Sequence, residues 1–335
     1  MIGSMLVKNY GFVLAGTARN GREALEQIPG VKPDVVLLAV EMPVLDGLTT
    51  LKRLMRCYRV PVLMLSAHAQ KGNAVTVEAL TSGAVDFVAK PAQSSGLNAM
   101  VATLAAKIRA VTAAPAGRRV PVCRERKQPH NRPAPVVMPR ERVRLIVIGS
   151  STGGPAALRV ILASLPAGFK APVIVVQHMP AGFTASLAVN LNARCALTVK
   201  QAANGDLITP GEVLIAPAGR AFALHKTPSG VCVTVRESTR PLAPGVFRPS
   251  VDEVMIEAAK IYGRHLLGVV LTGMGKDGLK GMRAIKAANG LTIAQEESTC
   301  VVYGMPKAVI EAGLADSVVP LPQIGPALVR IAEKM

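Results

Sequence analysis

The chain has 335 residues, half of them hydrophobic, no tryptophan and a net charge of +18. That length suggests about two domains, with aliphatic and methionine-filled cores. The one dense basic block lies at 113–143 and has no zinc-finger spacing, basic heptad or aromatic-rich RNA-binding stretch, so no nucleic-acid partner is expected.

Residues 1–112 alternate short apolar runs with amphipathic stretches. Strands are expected at 12–17, 34–40, 60–66 and 85–89. Helices are expected at 20–28, 48–56, 74–82 and 97–111. Such alternation argues a parallel sheet with helices on both faces. Residues 113–143 then hold six prolines and no periodicity, with eight Arg or Lys against two Glu. Proline removes donors and stiffens the chain, so this stretch reads as an extended connector whose charge is solvated.

From 144 the alternation resumes. The run RLIVIGSSTGGP at 144–155 reads as a buried strand, a tight turn and a helix start that accepts proline. A helix follows at 156–164, a strand at 171–178 and a helix at 185–194. Short runs punctuated by Pro-Gly and Pro-Ala-Gly turns at 197–235 read as antiparallel strands. A helix at 251–262, a strand at 266–271, a helix at 279–288 and a strand at 291–295 complete the reading.

Three residues with complementary chemistry stand just past strand ends: Ser151, His178 and Asp277. A hydroxyl needs a base to act as a nucleophile near neutral pH, histidine supplies one, and a carboxylate orients the imidazole. The chain order Ser, His, Asp differs from that of α/β-hydrolases, and no Gly-x-Ser-x-Gly elbow is present. Each residue also has a structural reading, as a helix-capping hydroxyl, a strand-end histidine or a turn aspartate. A glycine-rich strand-turn-helix could also cradle phosphate, but the spacing fits neither nucleotide fingerprint.

Cys57, Cys123, Cys195, Cys232 and Cys300 are far apart and give neither a metal-ligand spacing nor a disulfide framework, which suits a reducing cytoplasm. No signal peptide opens the sequence and no apolar run is long enough for a bilayer, so no membrane insertion is expected.

Residues 33–47 (PDVVLLAVEMPVLDG), 61–67 (PVLMLSA) and 83–91 (GAVDFVAKP) resemble response-regulator receiver domains. In that family an aspartate ends the third strand and accepts a phosphoryl group, an acidic pair after the first strand binds Mg²⁺, and a Ser/Thr and a Lys complete the site. Here Ser66 and Lys90 match, but the acceptor position is Ala39, whose methyl group can neither be phosphorylated nor ligate a metal. Residues 1–9 align with the remainder of the first helix, so the first strand and its acidic pair are not expected within the sequence. The resemblance therefore implies a degenerate receiver.

Five further motifs, GSSTGG at 149–154, QHMP at 177–180, RPSVD at 248–252, LTGMGKDG at 271–278 and CVVYGMP at 300–306, together resemble the catalytic domain of bacterial chemotaxis protein-glutamate methylesterases. The resemblance implies an α/β chain of two doubly wound parallel-sheet domains. These are a flavodoxin-like receiver (1–112) and, after the connector, a Rossmann-like methylesterase domain with a small antiparallel addition (144–335). It implies Ser151 as nucleophile, His178 as base and Asp277 as its orienting partner, with the backbone N–H groups of Thr152 and Met274 as oxyanion donors. Arg248 and residues 300–306 are expected to line the approach to the site. The implied reaction removes methyl esters from receptor glutamyl residues and deamidates receptor glutamines, with no metal or cofactor. The implied partners are methyl-accepting chemoreceptors as substrate, with the chemotaxis histidine kinase admitted as a second partner. In that family an unphosphorylated receiver covers the active site. A chain without the acceptor is thus expected to be constitutively active, constitutively restrained or controlled by partner binding, and the alternative reading of the chain is a catalytically restrained or inactive receptor-binding adaptor.

Overall fold

Buried apolar runs cannot leave their backbone groups unpaired. In the computed structural model they pair into two parallel sheets, one in each of two units, Met1–Arg124 and Glu125–Met335. The structure describes residues 1–58, 60–66, 74–91, 93–113, 135–139, 141–237 and 247–333. Most of the expected connector therefore lies outside the described residues. Of its described part, the Val137 N–H donates to Ser317 Oγ at 2.9 Å.

The first unit contains α1 (Ile2–Tyr10), α2 (Gly21–Val31), β1 (Val36–Ala39), α3 (Gly47–Cys57), β2 (Val62–Ser66), α4 (Ala74–Thr81), β3 (Asp86–Ala89) and α5 (Leu97–Thr112). Helix α2 starts where Asn20 Oδ1 accepts the Glu23 N–H, and α3 where Asp46 Oδ1 accepts the Thr49 N–H. The strands pair in the order β1-β2-β3, all parallel. Leu51, Leu54, Leu63, Met64, Val77 and Leu104 fill the core. Residues 12–17, expected as a strand, form none: Val13 and Leu14 are exposed, and among the described strands β1 pairs with β2 alone. An extended segment with no paired neighbour gains no ladder of hydrogen bonds, whatever its propensity.

The second unit is built on seven parallel strands, with helices on every connection but that from β6 to β7. In chain order these are β4 (Leu145–Ser150), α6 (Gly154–Leu162), β5 (Val173–Gln177), α7 (Phe183–Asn192), β6 (Thr198–Gln201) and β7 (Glu212–Ile215). A hairpin of β8 (Ala221–Thr227) and β9 (Gly230–Arg236) follows. Then come α8 (Val251–Tyr262), β10 (Leu266–Val270), α9 (Leu279–Ala287), β11 (Leu291–Gln295), α10 (Met305–Glu311), β12 (Ser317–Val319) and α11 (Leu321–Glu333). The sheet order is β12-β11-β10-β4-β5-β7-β6. Strands after β4 first fill one side and then, from β10, the other, so the order reverses between β4 and β10. In open α/β sheets that crevice at the carboxyl ends is where ligands bind.

The expectation of antiparallel strands across 197–235 holds only for β8 and β9. Strands β6 and β7 run parallel and extend the main sheet. The turn signals are real, but the segment between β6 and β7 is long enough to loop back. It is held along β9 by the Gly205 N–H on Val233 O and the Ile208 N–H on Val231 O. Among the described residues no helix is long and apolar enough to cross a membrane.

Candidate active site

Strand register sets the site. Ser150 at the end of β4 pairs with Gln177 at the end of β5, and Gly149 pairs with Val270 on β10. The next residues, Ser151 and His178, thus leave two neighbouring strands side by side. Asp277 comes from the turn after β10, on the other flank of β4. Backbone pairing continues past the strands: the His178 N–H donates to Ser150 O at 2.9 Å and the Ser151 N–H to Thr272 O at 3.1 Å.

His178 Nε2 and Asp277 Oδ2 are 2.8 Å apart, with the imidazole 3% exposed. Asp277 also receives the Val251 N–H on Oδ2, and the Ser250 hydroxyl, the Asp252 N–H and the Gly278 N–H on Oδ1. Burial alone would raise its pKa. The bonds from His178, Asp252 and Val251 outweigh burial and hold the carboxyl well below the ordinary carboxylate range. It is charged at neutral pH and set to orient the ring.

Ser151 is buried at the turn into α6. Gly153 takes φ 80°, and a methyl group at Gly154 would stand 2.0 Å from Gln177 Oε1, so this turn needs both glycines. The space is occupied by the buried Gln177 amide. Its Oε1 accepts the Ser150 hydroxyl at 2.7 Å, and its Nε2 donates to Ser151 O at 3.0 Å and His178 O at 2.9 Å. One side chain thereby ties together the backbones of both candidate catalytic residues.

On the opposite flank, Thr272 Oγ1 donates to Thr152 O at 3.0 Å and accepts the Val302 N–H at 3.0 Å. The Gly273 N–H donates to Val302 O and the Met305 N–H to Gly273 O, so residues 300–306 brace the turn that carries Met274. A methyl at Gly273 would lie 2.7 Å from Ser151 Cβ, which puts the Met274 turn directly against the serine. Residues 300–306 are mostly buried and act as this brace; only Tyr303 and Gly304 are half-buried. Arg248 is half-buried, and its carbonyl accepts the Gly219 N–H. The Phe247 ring stacks on His178, with centroids 4.3 Å apart and planes 8° apart.

In the first unit, Ala39, Ser66 and Lys90 stand at the ends of three adjacent strands. The Val40 N–H donates to Leu65 O and the Lys90 N–H to Ser66 O. Ser66 is buried and its hydroxyl lies 3.3 Å from Thr76 Oγ1, whereas Lys90 is exposed. Ala39 presents a methyl group where the neighbouring strand ends offer a hydroxyl and an amine.

Residues 146–328 match the CheB methylesterase family model, and residues 1–102 match the response regulator receiver domain. A protein-glutamate methylesterase/protein-glutamine glutaminase of Moorella thermoacetica is 40% identical over 95% of this chain and 92% of its own. One from Carboxydothermus hydrogenoformans is 45% identical over 93% and 89%. The chain belongs to the CheB methylesterase family. The crystal structure of the Thermotoga maritima CheB methylesterase catalytic domain aligns with a TM-score of 0.54 at 44% identity, covering 57% of this chain and 100% of that one.

Within this methylesterase-family site, sequence reasoning missed Phe247 and, although Ser250, Asp252, Thr272 and Gln177 all lie in the quoted motifs, gave none of those four a task. Ser250 alone carried a local signal for its role. The order Ser-Val-Asp-Glu at 250–253 is that of a capping box, and Ser250 Oγ does accept the Glu253 N–H at 3.4 Å. Among the described residues, no group of three or more His, Cys, Asp or Glu is placed to hold a metal ion.

Proposed function

We propose that this chain is a serine hydrolase that removes methyl esters from glutamyl residues of chemoreceptors and deamidates receptor glutamines. The observation that carries the reading is the half-buried His178–Asp277 pair, one strand away from Ser151 at the sheet's switch point.

With Nε2 on the carboxylate, the neutral imidazole keeps its proton on Nε2 and its lone pair on Nδ1. His178 Nδ1 takes the Ser151 proton as Oγ attacks the γ-carbonyl carbon. The tetrahedral oxyanion is received by the backbone N–H groups of Thr152 and Met274, each worth about 3–4 kcal/mol in the transition state. Asp277 stabilises the imidazolium. The proton then passes to the leaving oxygen and methanol departs, or to the leaving nitrogen and ammonia departs. Water, deprotonated by His178, attacks the acyl-Ser151 carbonyl; the bond to Ser151 Oγ breaks, His178 returns the proton to that oxygen, and the glutamyl carboxylate is freed. No step calls on a metal or cofactor.

The catalytic domain of this reading is 144–335, joined through 113–143 to a receiver at 1–112. With Ala39 at the acceptor position, that receiver carries no phosphoryl switch at its usual place. The enzyme acts in the cytoplasm on receptor helices.

The test is incubation of the full chain with a receptor cytoplasmic fragment bearing γ-glutamyl methyl esters. Methanol and free γ-carboxylates are the expected products, with ammonia from a glutamine-bearing fragment. A receptor fragment that binds and is returned with its esters intact would overturn the reading.

A further inference from the structure

Asp277 is held by a helix that is not its own. The Val251 and Asp252 N–H groups and the Ser250 hydroxyl, all at the start of α8, converge on its carboxylate. The two N–H groups are first-turn donors that have no intrahelical partner. Asp277 itself stands two residues before α9. The N-cap of α9 is Gly278, which has no side chain to satisfy that helix's own first turn.

The missing cap comes from α8. Asp252 Oδ1 accepts the Gly278 N–H at 2.9 Å and the Gly281 N–H at 2.7 Å. Each carboxylate therefore caps the helix that belongs to the other. Asp277 satisfies the start of α8, and Asp252 satisfies the start of α9. Gly278 takes φ 99°, a conformation that L side chains rarely adopt, and Gly281 lets α9 approach Met255 of α8. The cross-cap closes across this tight contact.

We propose that Asp252 is a positioning residue for the hydrolysis. By capping α9 it fixes the turn that carries Asp277, and through Asp277 the orientation of the His178 ring. The inference rests on the catalytic reading of Ser151, His178 and Asp277. Its energetic logic is visible in the charges. Two carboxylates stand side by side, each surrounded by N–H donors. Burial and the Asp277 charge raise the Asp252 pKa against the N–H bonds that lower it. An uncompensated carboxylate here would be costly, so what keeps it is the geometry of its acceptor oxygen.

The bonds from Gly278 and Gly281 both fall on one oxygen, Oδ1, so an asparagine can make them and an alanine cannot. The variants Asp252→Asn, Asp252→Ala and Asp252→Ser separate the cap from the charge. Each is measured in the full chain by methanol release, by thermal unfolding, and by the rate at which a fluorophosphonate labels Ser151. For Asp252→Ala, kcat falls about 10–100-fold with KM changed less than about twofold, as expected for a misplaced catalytic group. Labelling of Ser151 slows in parallel. Asp252→Asn keeps most of the wild-type kcat, and Asp252→Ser, whose shorter hydroxyl reaches less far, falls between them.

Wild-type kcat and labelling rate in folded Asp252→Ala would overturn the proposal. So would a loss in Asp252→Asn as large as in Asp252→Ala, because that would assign the effect to charge. If Asp252→Ala does not fold, Asp252→Ser and Asp252→Asn decide by the same ratio. A role in stability alone would lower the unfolding midpoint and leave the labelling rate of folded protein unchanged, which also overturns it. Wild-type chain that labels at Ser151 but releases no methanol would remove the substrate reading, and the labelling ratio would still judge Asp252.

Discussion

The Gln177 side-chain amide donates to the Ser151 carbonyl at 3.0 Å and to the His178 carbonyl at 2.9 Å, so one buried group spans the ends of β4 and β5. Its oxygen is used as well, by the Ser150 hydroxyl. Replacing Gln177 with leucine keeps the volume and removes all three bonds. Groups left unsatisfied in a buried site cost about 1–3 kcal/mol. Gln177→Leu is expected to lose stability on that scale in denaturant unfolding, with a fall in kcat as the two strand ends relax. Unchanged stability and kcat would show that the bridge is dispensable.

Asp277 sets a pH dependence with a definite sign. Its folded pKa lies below the ordinary carboxylate value, so its bonds stabilise the fold above that value and are lost as pH falls through the folded pKa. Asp277→Asn is expected to be less stable than wild type at neutral pH, with the gap narrowing as pH drops below about 4. Unfolding curves across that range check it. Turnover at neutral pH should fall about 10⁴-fold, the scale seen when the orienting carboxylate of a serine triad is replaced by an amide. A gap that widens on acidification would contradict the account.

Phe247 covers one face of the base while remaining 42% exposed. Ring stacking is worth about 0.5–1.5 kcal/mol, which converts to about a 2–12-fold effect on rate. Phe247→Ala should lower kcat/KM within that range and barely move the unfolding midpoint, because little of the core is removed. A collapse of stability would mean that Phe247 belongs to the core.

Ala39 predicts a receiver that does not accept phosphate at its usual position. Incubation with a small phosphodonor and Mg²⁺, followed by intact-mass measurement, should give no acid-labile phosphoryl adduct in residues 1–112. An adduct mapped to that unit would contradict the reading.

The sequence makes the strands and their ends legible because apolar β-branched runs end in glycine, proline and hydroxyl turns. Ser151, His178 and Asp277 could be named because each follows such a run. Residues 12–17 looked like a strand by the same criterion, but a strand also needs a neighbour, and no window of sequence reports one. From sequence, strands β6 and β7 read as antiparallel because a Pro-Gly turn marks a reversal without saying how far the chain travels before pairing. The elements expected from sequence end at 295, short of α10, β12 and α11. Asp252, Thr272 and Gln177 act through partners 25 to 29 residues away or more, or through several partners at once, and their local surroundings name none of them. Phe247 reaches His178 from a distant part of the chain and has no periodic pattern around it.

The central claim is that Ser151 forms a covalent acyl-enzyme with the receptor glutamyl group. Rapid acid quench of the full chain with a methylated receptor peptide, followed by peptide mapping, tests it most directly. The account predicts a transient acyl adduct on Ser151 and neither adduct nor methanol from Ser151→Ala. Methanol released at the wild-type rate by Ser151→Ala, or an adduct mapped to another residue, would contradict it.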